Sequence, residues 1–173
     1  MKLFNEPATS APPYKPGFVT VAVGTKGAMA LKGGTRLSWG ERLLGGYTSY
    51  YQVDTRRTTI QFGKLSCASK VSGLEFDVIA SLTLEVVDPA RAVQKGISES
   101  EPILHQPVKR VIEQNALNFD VADANAAKLA IEKALVGLKT DLAIRIIDAS
   151  VDVRPDERAR ELLRTIGEEQ LVI

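Results

Sequence analysis

Leu74-Glu75-Phe76-Asp77-Val78-Ile79-Ala80-Ser81-Leu82-Thr83-Leu84-Glu85-Val86-Val87-Asp88-Pro89 decides the fold. Leu74, Phe76, Val78, Ala80, Leu82, Leu84 and Val86 share one parity, and Glu75, Asp77, Ile79, Ser81, Thr83, Glu85 and Val87 the other. A period of two over this length predicts a long strand with one face on a core. The second face mixes Glu and Thr with Ile and Val, so it is expected to be half covered. Asp88 can cap a helix and Pro89 suits its first position, where a missing N–H costs nothing. Ala90-Arg91-Ala92-Val93 then continues as a short helix.

Upstream, Phe18 to Val23 and Ala28 to Lys32 read as strands around the turn Gly24-Thr25-Lys26-Gly27, with a further break at Gly33-Gly34. Arg36 to Gly46 gives no clear period; Trp39, Leu43 and Leu44 are expected to anchor a loop or short turn onto the core. Tyr50 to Asp54 and Thr58 to Leu65 are aromatic and β-branched and read as strands, and Ser69 to Gly73 reads as a turn. Met1 to Gly17 carries Pro7, Pro12, Pro13 and Pro16 and reads as an extended arm. It lacks the apolar run of a signal peptide. Leu3 and Phe4 offer at most a weak membrane contact.

Downstream, Ser100 is a candidate N-cap with Glu101 in the first turn. Leu104, Val108, Val111 and Ile112 mark a helix face, with a kink or restart expected at Pro107. After the polar break Asn118 to Asp123, Ala127, Ala130, Ile131, Ala134, Leu135 and Leu138 form a second stripe. Leu142, Ile144 and Ile146 predict a strand that continues on the other parity through Ala149, Val151 and Val153, which implies a bulge or bend near Ile146-Ile147. Pro155 is expected to open a last helix with the face Ala159, Leu162, Leu163 and Ile166. The fold class is therefore α+β: an antiparallel β meander in the N-terminal half, then helices packed on a strand-containing second subdomain, ending in a charged helix. The expected boundaries are an arm over 1–17, a mainly β subdomain over 18–88, an α/β subdomain over 89–154 and a terminal helix over 155–173.

In order and spacing these segments resemble the SPFH (band 7, or prohibitin-homology) domain of stomatins, prohibitins and flotillins. The stretches that carry the resemblance are Tyr51-Gln52-Val53-Asp54-Thr55-Arg56, Gly73-Leu74-Glu75-Phe76-Asp77-Val78 and Val86-Val87-Asp88-Pro89-Ala90-Arg91-Ala92. Val108-Lys109-Arg110-Val111-Ile112 and Leu142-Ala143-Ile144-Arg145-Ile146-Ile147-Asp148-Ala149-Ser150-Val151 complete it, over roughly residues 18 to 170. The family's usual hydrophobic anchor before the domain and long coiled coil after it are not in this sequence. The chain therefore reads as a free-standing soluble variant or as a domain excised from a longer protein. The resemblance implies a non-enzymatic scaffold that self-associates side by side.

With 173 residues, 22 basic and 21 acidic side chains, the chain has room for one domain or two small ones. Near-neutral charge argues against a general nucleic-acid binder. One cysteine, Cys67, excludes an intrachain disulfide and fits a reducing, cytoplasmic setting; no stretch is long and apolar enough to span a bilayer, and peripheral attachment to a membrane surface stays open. His105 is the chain's one histidine, and no metal-ligand set, cofactor motif or nucleophile elbow appears. The glycines at 24, 27, 33 and 34 suit turns rather than a phosphate loop.

Arg56 and Arg57 are candidate contacts for an acidic partner or a lipid head group, and also suit a solvated turn. Arg158, Arg160, Glu161 and Arg164 are candidates for an oligomer interface. Asp156 with Arg160, and Arg164 with Glu168, have the spacing of helix-surface ion pairs. Three functions remain open: a homo-oligomeric scaffold forming a ring, arc or filament and organising partner proteins near a membrane; a monomeric adaptor binding one protein through its β face or N-terminal arm; and an enzyme with an unrecognised site around His105 or Asp148.

Overall fold

A computed structural model describes residues 1–33, 35–140 and 143–171. The decisive stretch is a strand over Glu75–Val86 (β5). Phe76, Val78, Ala80, Leu82, Leu84 and Val86 are buried, while the alternate positions are half-buried or exposed. At the corner the Asp88 carboxylate accepts the Arg91 N–H at 3.1 Å and Pro89 opens a helix over Pro89–Gln94 (α2).

Five further strands and four further helices complete the order: β1 (Phe18–Gly24), β2 (Gly27–Leu31), α1 (Trp39–Gly45), β3 (Ser49–Asp54), β4 (Thr58–Ala68), α3 (Glu101–Ala116), α4 (Ala124–Val136), β6 (Ile144–Pro155) and α5 (Glu157–Leu171). They form an α+β protein with two antiparallel three-stranded sheets. One sheet has the order β2-β1-β3 and the other β4-β5-β6. The N-terminal strands are therefore divided between two sheets, and β5 takes as its second neighbour a strand that follows the helices. The expected turn at Gly34 and strand start at Leu142 lie outside the described residues.

The chain divides into two compact units. The first comprises Met1–Thr58, Leu84–Ile103 and Lys139–Arg145, and the second Thr59–Thr83, Leu104–Leu138 and Ile146–Ile173. In the first unit, β1 and β2 close a tight hairpin at Gly24 and Gly27. Gly24 is required there: a Cβ would lie 2.4 Å from the Gly45 carbonyl oxygen. The arm is not free. Leu3 is buried, with its N–H on the Ser98 carbonyl at 2.7 Å and its carbonyl accepting the Asp54 N–H at 2.8 Å. Ala8 and Tyr50 exchange backbone bonds at 2.8 and 2.9 Å, and Phe4 meets Tyr51 edge to face. Pairing with the edge of β3 satisfies backbone groups of both, so Leu3 cannot reach a membrane.

In the second unit, α3 buries Leu104, Val108, Ile112 and Ala116, each one turn apart. It continues through Pro107 without restarting. The proline ring already has a helical φ; it costs its own N–H bond and crowds the carbonyl one turn back, but Leu104 and Val108 are buried on either side and hold the helix. Ser100 makes no side-chain cap bond; its N–H and its hydroxyl both donate to the Met1 carbonyl, at 3.0 and 3.4 Å. The α4 stripe buries Ala127, Ile131 and Leu135. Burial along β6 switches parity as expected, from Ile144 and Ile146 to Ala149, Val151 and Val153.

Two further expectations fail at chain segments where a local hydrogen bond or a nearby apolar residue competes. Pro155 ends β6 rather than opening the helix; the Asp156 carboxylate caps α5 by accepting the Ala159 N–H at 2.8 Å. Trp39, Leu43 and Leu44 do not anchor their segment, being 77%, 62% and 76% exposed. Leu37 anchors it instead, buried in a cluster with Ala22, Leu31 and Tyr50.

The facing of β5 gives a direct test. Phe76→Ala should cost about 3–5 kcal/mol in urea unfolding, as a cavity in a packed core does. Ile79→Ala, on the half-covered face, should cost less than about 1 kcal/mol.

Candidate functional surfaces

Arg56 follows β3 in the turn to β4. Its Nε and a terminal nitrogen donate to the two Asp54 carboxylate oxygens at 3.0 and 2.8 Å, and its backbone N–H adds a third bond to Asp54 at 3.0 Å. The guanidinium also stacks 4.8 Å from the Phe18 ring centre, with Lys15 at 4.3 Å from the same ring. The side-chain bond from Arg56 holds the Asp54 carboxyl below the usual range. Arg56 thus fixes its own turn with two of its five side-chain N–H donors, and its side chain stays 61% exposed. Arg57 is exposed and has no ion pair among the described residues.

The terminal helix presents Arg158, Arg160, Glu161 and Arg164 to solvent. Arg164 bonds Glu168 at 2.9 Å, as the spacing predicts. Asp156 does not pair with Arg160, because its carboxylate is occupied by the cap. Of the helix's apolar side chains only Ala159 is buried; Leu163 is half-buried, and Leu162 and Ile166 are each 44% exposed. The expected apolar face is therefore largely uncovered.

His105 is exposed on α3, its ring 6.3 Å from that of Phe62. Asp148 is exposed on β6. A cavity of about 370 Å³ lies between the arm and β1, bounded by Pro12, Tyr14, Phe18, Thr20 and Arg36. Cys67 is a free, buried thiol whose pKa burial pushes up to about 11. That is the opposite of the depressed value a thiolate nucleophile needs. No group of three or more metal-ligating side chains occurs among the described residues.

On the outer face of the second sheet, Lys64 pairs with Asp77 at 3.4 Å and Thr59 meets Thr83 at 3.0 Å. Exposed Ile79 is an apolar member of that face. At the other edge, the Glu132 carboxylate of α4 accepts the Val151 N–H at 2.9 Å, so a side chain occupies a backbone donor of β6. No described helix is long and apolar enough to cross a membrane.

Sequence reading missed the two uncovered apolar surfaces, on α1 and α5. For α1 a signal exists: Ser38 and Glu41 have capping-box spacing, and both reciprocal bonds form. No signal in the residues says that an apolar helix face stays uncovered. Comparison with known families finds no matching family model, and comparison with curated proteins finds no match.

Two titrations test these environments. Asp54 has a depressed folded pKa, so its stabilising contribution is present above the unfolded value, near 3.8, and is lost as pH falls through the folded one. In Arg56→Gln, the Asp54 carboxyl followed by NMR should titrate closer to the ordinary value. Cys67 has the opposite sign. Its contribution is complete below about pH 9 and declines as pH rises toward 11, because the unfolded thiol ionises first. Cys67→Ala should flatten that alkaline decline in denaturant titrations.

Proposed function

We propose that this chain is a non-enzymatic scaffold that self-associates into a ring, arc or filament and organises partner proteins, with α5 supplying a subunit contact. The observation that carries this reading is the uncovered face of α5. A 15-residue helix that buries only Ala159 leaves Leu162 and Ile166 one turn apart and half in water. Contiguous apolar exposure rimmed by charge is characteristic of association sites.

The rim is mixed in sign. Arg158 and Glu169 are exposed and make no ion pair among the described residues. Such flanking charges select and align partner helices, as at the edges of a coiled-coil seam. Identical contacts repeated head to tail yield a closed ring or an open filament according to the rotation between copies. The resemblance to SPFH domains points the same way.

An adaptor reading has narrower support. Ile79 projects from a polar sheet face, which suits docking of one protein partner; the arm, whose Leu3 and Ala8 are already paired, suits it less.

Sedimentation velocity across a concentration series tests the assembly. The unmodified chain should form higher species as concentration rises. Leu162→Ser with Ile166→Ser should weaken each contact by about 2 kcal/mol, roughly 1 kcal/mol per half-buried side chain, while the thermal midpoint barely moves. Arg160→Glu with Arg164→Glu should also disperse it. A chain that stays monomeric throughout overturns the scaffold; assembly indifferent to both double variants removes α5 as the contact.

A further inference from the structure

We propose that the cavity between the arm and β1 is a binding site for a small organic anion with a flat apolar body, of the aromatic carboxylate class. The site lies within the first unit, far along the chain from α5, and the inference does not rest on the assembly reading.

The cavity has a stiff frame. Its volume of about 370 Å³ falls in the range of roughly 300–1,000 Å³ that small-molecule sites occupy. Thr20 and Leu31, register partners across the β1–β2 ladder, both line it. So do Pro12 and Pro13 of the arm. A proline ring fixes its own φ and holds the preceding residue extended. The arm is also pinned on both sides of these prolines. Ala8 exchanges backbone bonds with Tyr50, and the Phe18 N–H donates to the Lys15 carbonyl at 3.1 Å. Gly33 and Thr35 join the lining from a turn closed by the Thr35 N–H, which donates to the Lys32 carbonyl at 2.8 Å. A ladder, two prolines and a bonded turn resist collapse, so a ligand meets a site formed in advance and loses little affinity to ordering it.

The lining is one-sided in charge. It includes Arg36 and no Asp or Glu, and Arg36 makes no ion pair among the described residues. A guanidinium presents a planar fork of donors that matches a carboxylate. The Tyr14 and Thr20 hydroxyls make no hydrogen bond among the described residues, whereas that of Thr35 is directed to the Lys32 carbonyl. The rest of the lining is mostly apolar. The Phe18 ring is held by Lys15 and Arg56, at 4.3 and 4.8 Å from its centre, and Leu31 is buried.

These groups select the ligand by class. A cation finds no acidic partner in the lining. A bare inorganic anion leaves the aromatic, leucine and proline surface unused. A ring bearing one carboxylate engages both kinds of wall, as an apolar site with a few polar groups does.

Amide NMR spectra of the full chain test this, with naphthoate as the probe. Naphthoate should shift the signals of Thr20, Gly33 and Thr35 and saturate. Neutral naphthamide should bind more weakly, and inorganic phosphate should leave these signals in place. Arg36→Gln should weaken naphthoate binding roughly 10- to 100-fold, the loss of one charge-assisted hydrogen bond, and leave naphthamide binding unchanged. Arg36 is exposed and unpaired among the described residues, so the thermal melt of the variant should match that of the unmodified chain. No saturable shift at these three amides overturns the site. Equal binding of naphthamide, or undiminished naphthoate binding by Arg36→Gln, overturns the anion assignment. Phosphate that moves the same signals as strongly assigns the cavity to an inorganic anion and overturns the organic class.

Discussion

One constraint governs this chain: β5 must keep a single register. Its inward residues are Phe76, Val78, Ala80 and Leu82 in the second unit and Leu84 and Val86 in the first. A slip of one residue would turn all six to the outer face and bring Glu75, Asp77 and Glu85 inward. Burying each of the larger ones contributes about 1.5–3 kcal/mol, so no local preference competes with that set. The strand end is also secured. The N–H groups of Val87 and Asp88 both reach the Ala143 carbonyl, at 2.8 and 3.3 Å. Ala143 itself is held at φ of 63°, in the region that disfavours a side chain. Backbone strain at one alanine is retained where it terminates the strand and releases the chain into α2.

Polar groups are largely consumed close to where they arise. Asp88 and Asp156 each accept a backbone N–H at a helix start, and Asp120 does so at the 3-10 turn over Val121–Asp123. Asp54 immobilises Arg56, and Glu132 reaches a strand N–H. Among the described residues, no buried side-chain nitrogen or oxygen lacks a partner. Charge in this protein therefore works mostly as local fastening. The mixed charges of α5 are exceptions because they share a helix with the exposed Leu162 and Ile166.

What was legible in the sequence was what depends on neighbours along the chain. The β5 alternation, the parity switch in β6 and the stripes of α3 and α4 are periodic, and each periodicity reports which residues share a face. The cap at Asp88 is equally local. Other features depend on distant partners. Nothing in Thr58 to Leu65 distinguishes a fourth strand of the first meander from an edge of a second sheet. Nothing in the proline-rich start announces that Leu3 and Ala8 will pair with residues near 50 and 98. Pro155 permits either a strand end or a helix start, and the stronger cap at Asp156 decides between them. Amphipathicity has the same limit in α1 and α5: it identifies an apolar face but not whether the rest of the chain covers it.

That limit is informative about function. A seven-residue helix is far below the length that sustains itself in water, so α1 owes its shape to the capping box and to the tethers at Leu37 and Tyr47. Trp39, Leu43 and Leu44 contribute nothing to those tethers. In α5, Asp156 and Ala159 secure the start, and Leu162 and Ile166 lie beyond what that attachment requires. In both helices the groups that maintain the fold are separate from the groups that face water. Polar residues at the exposed positions would fold equally well and dissolve better. Nothing in the fold therefore requires these positions to be apolar.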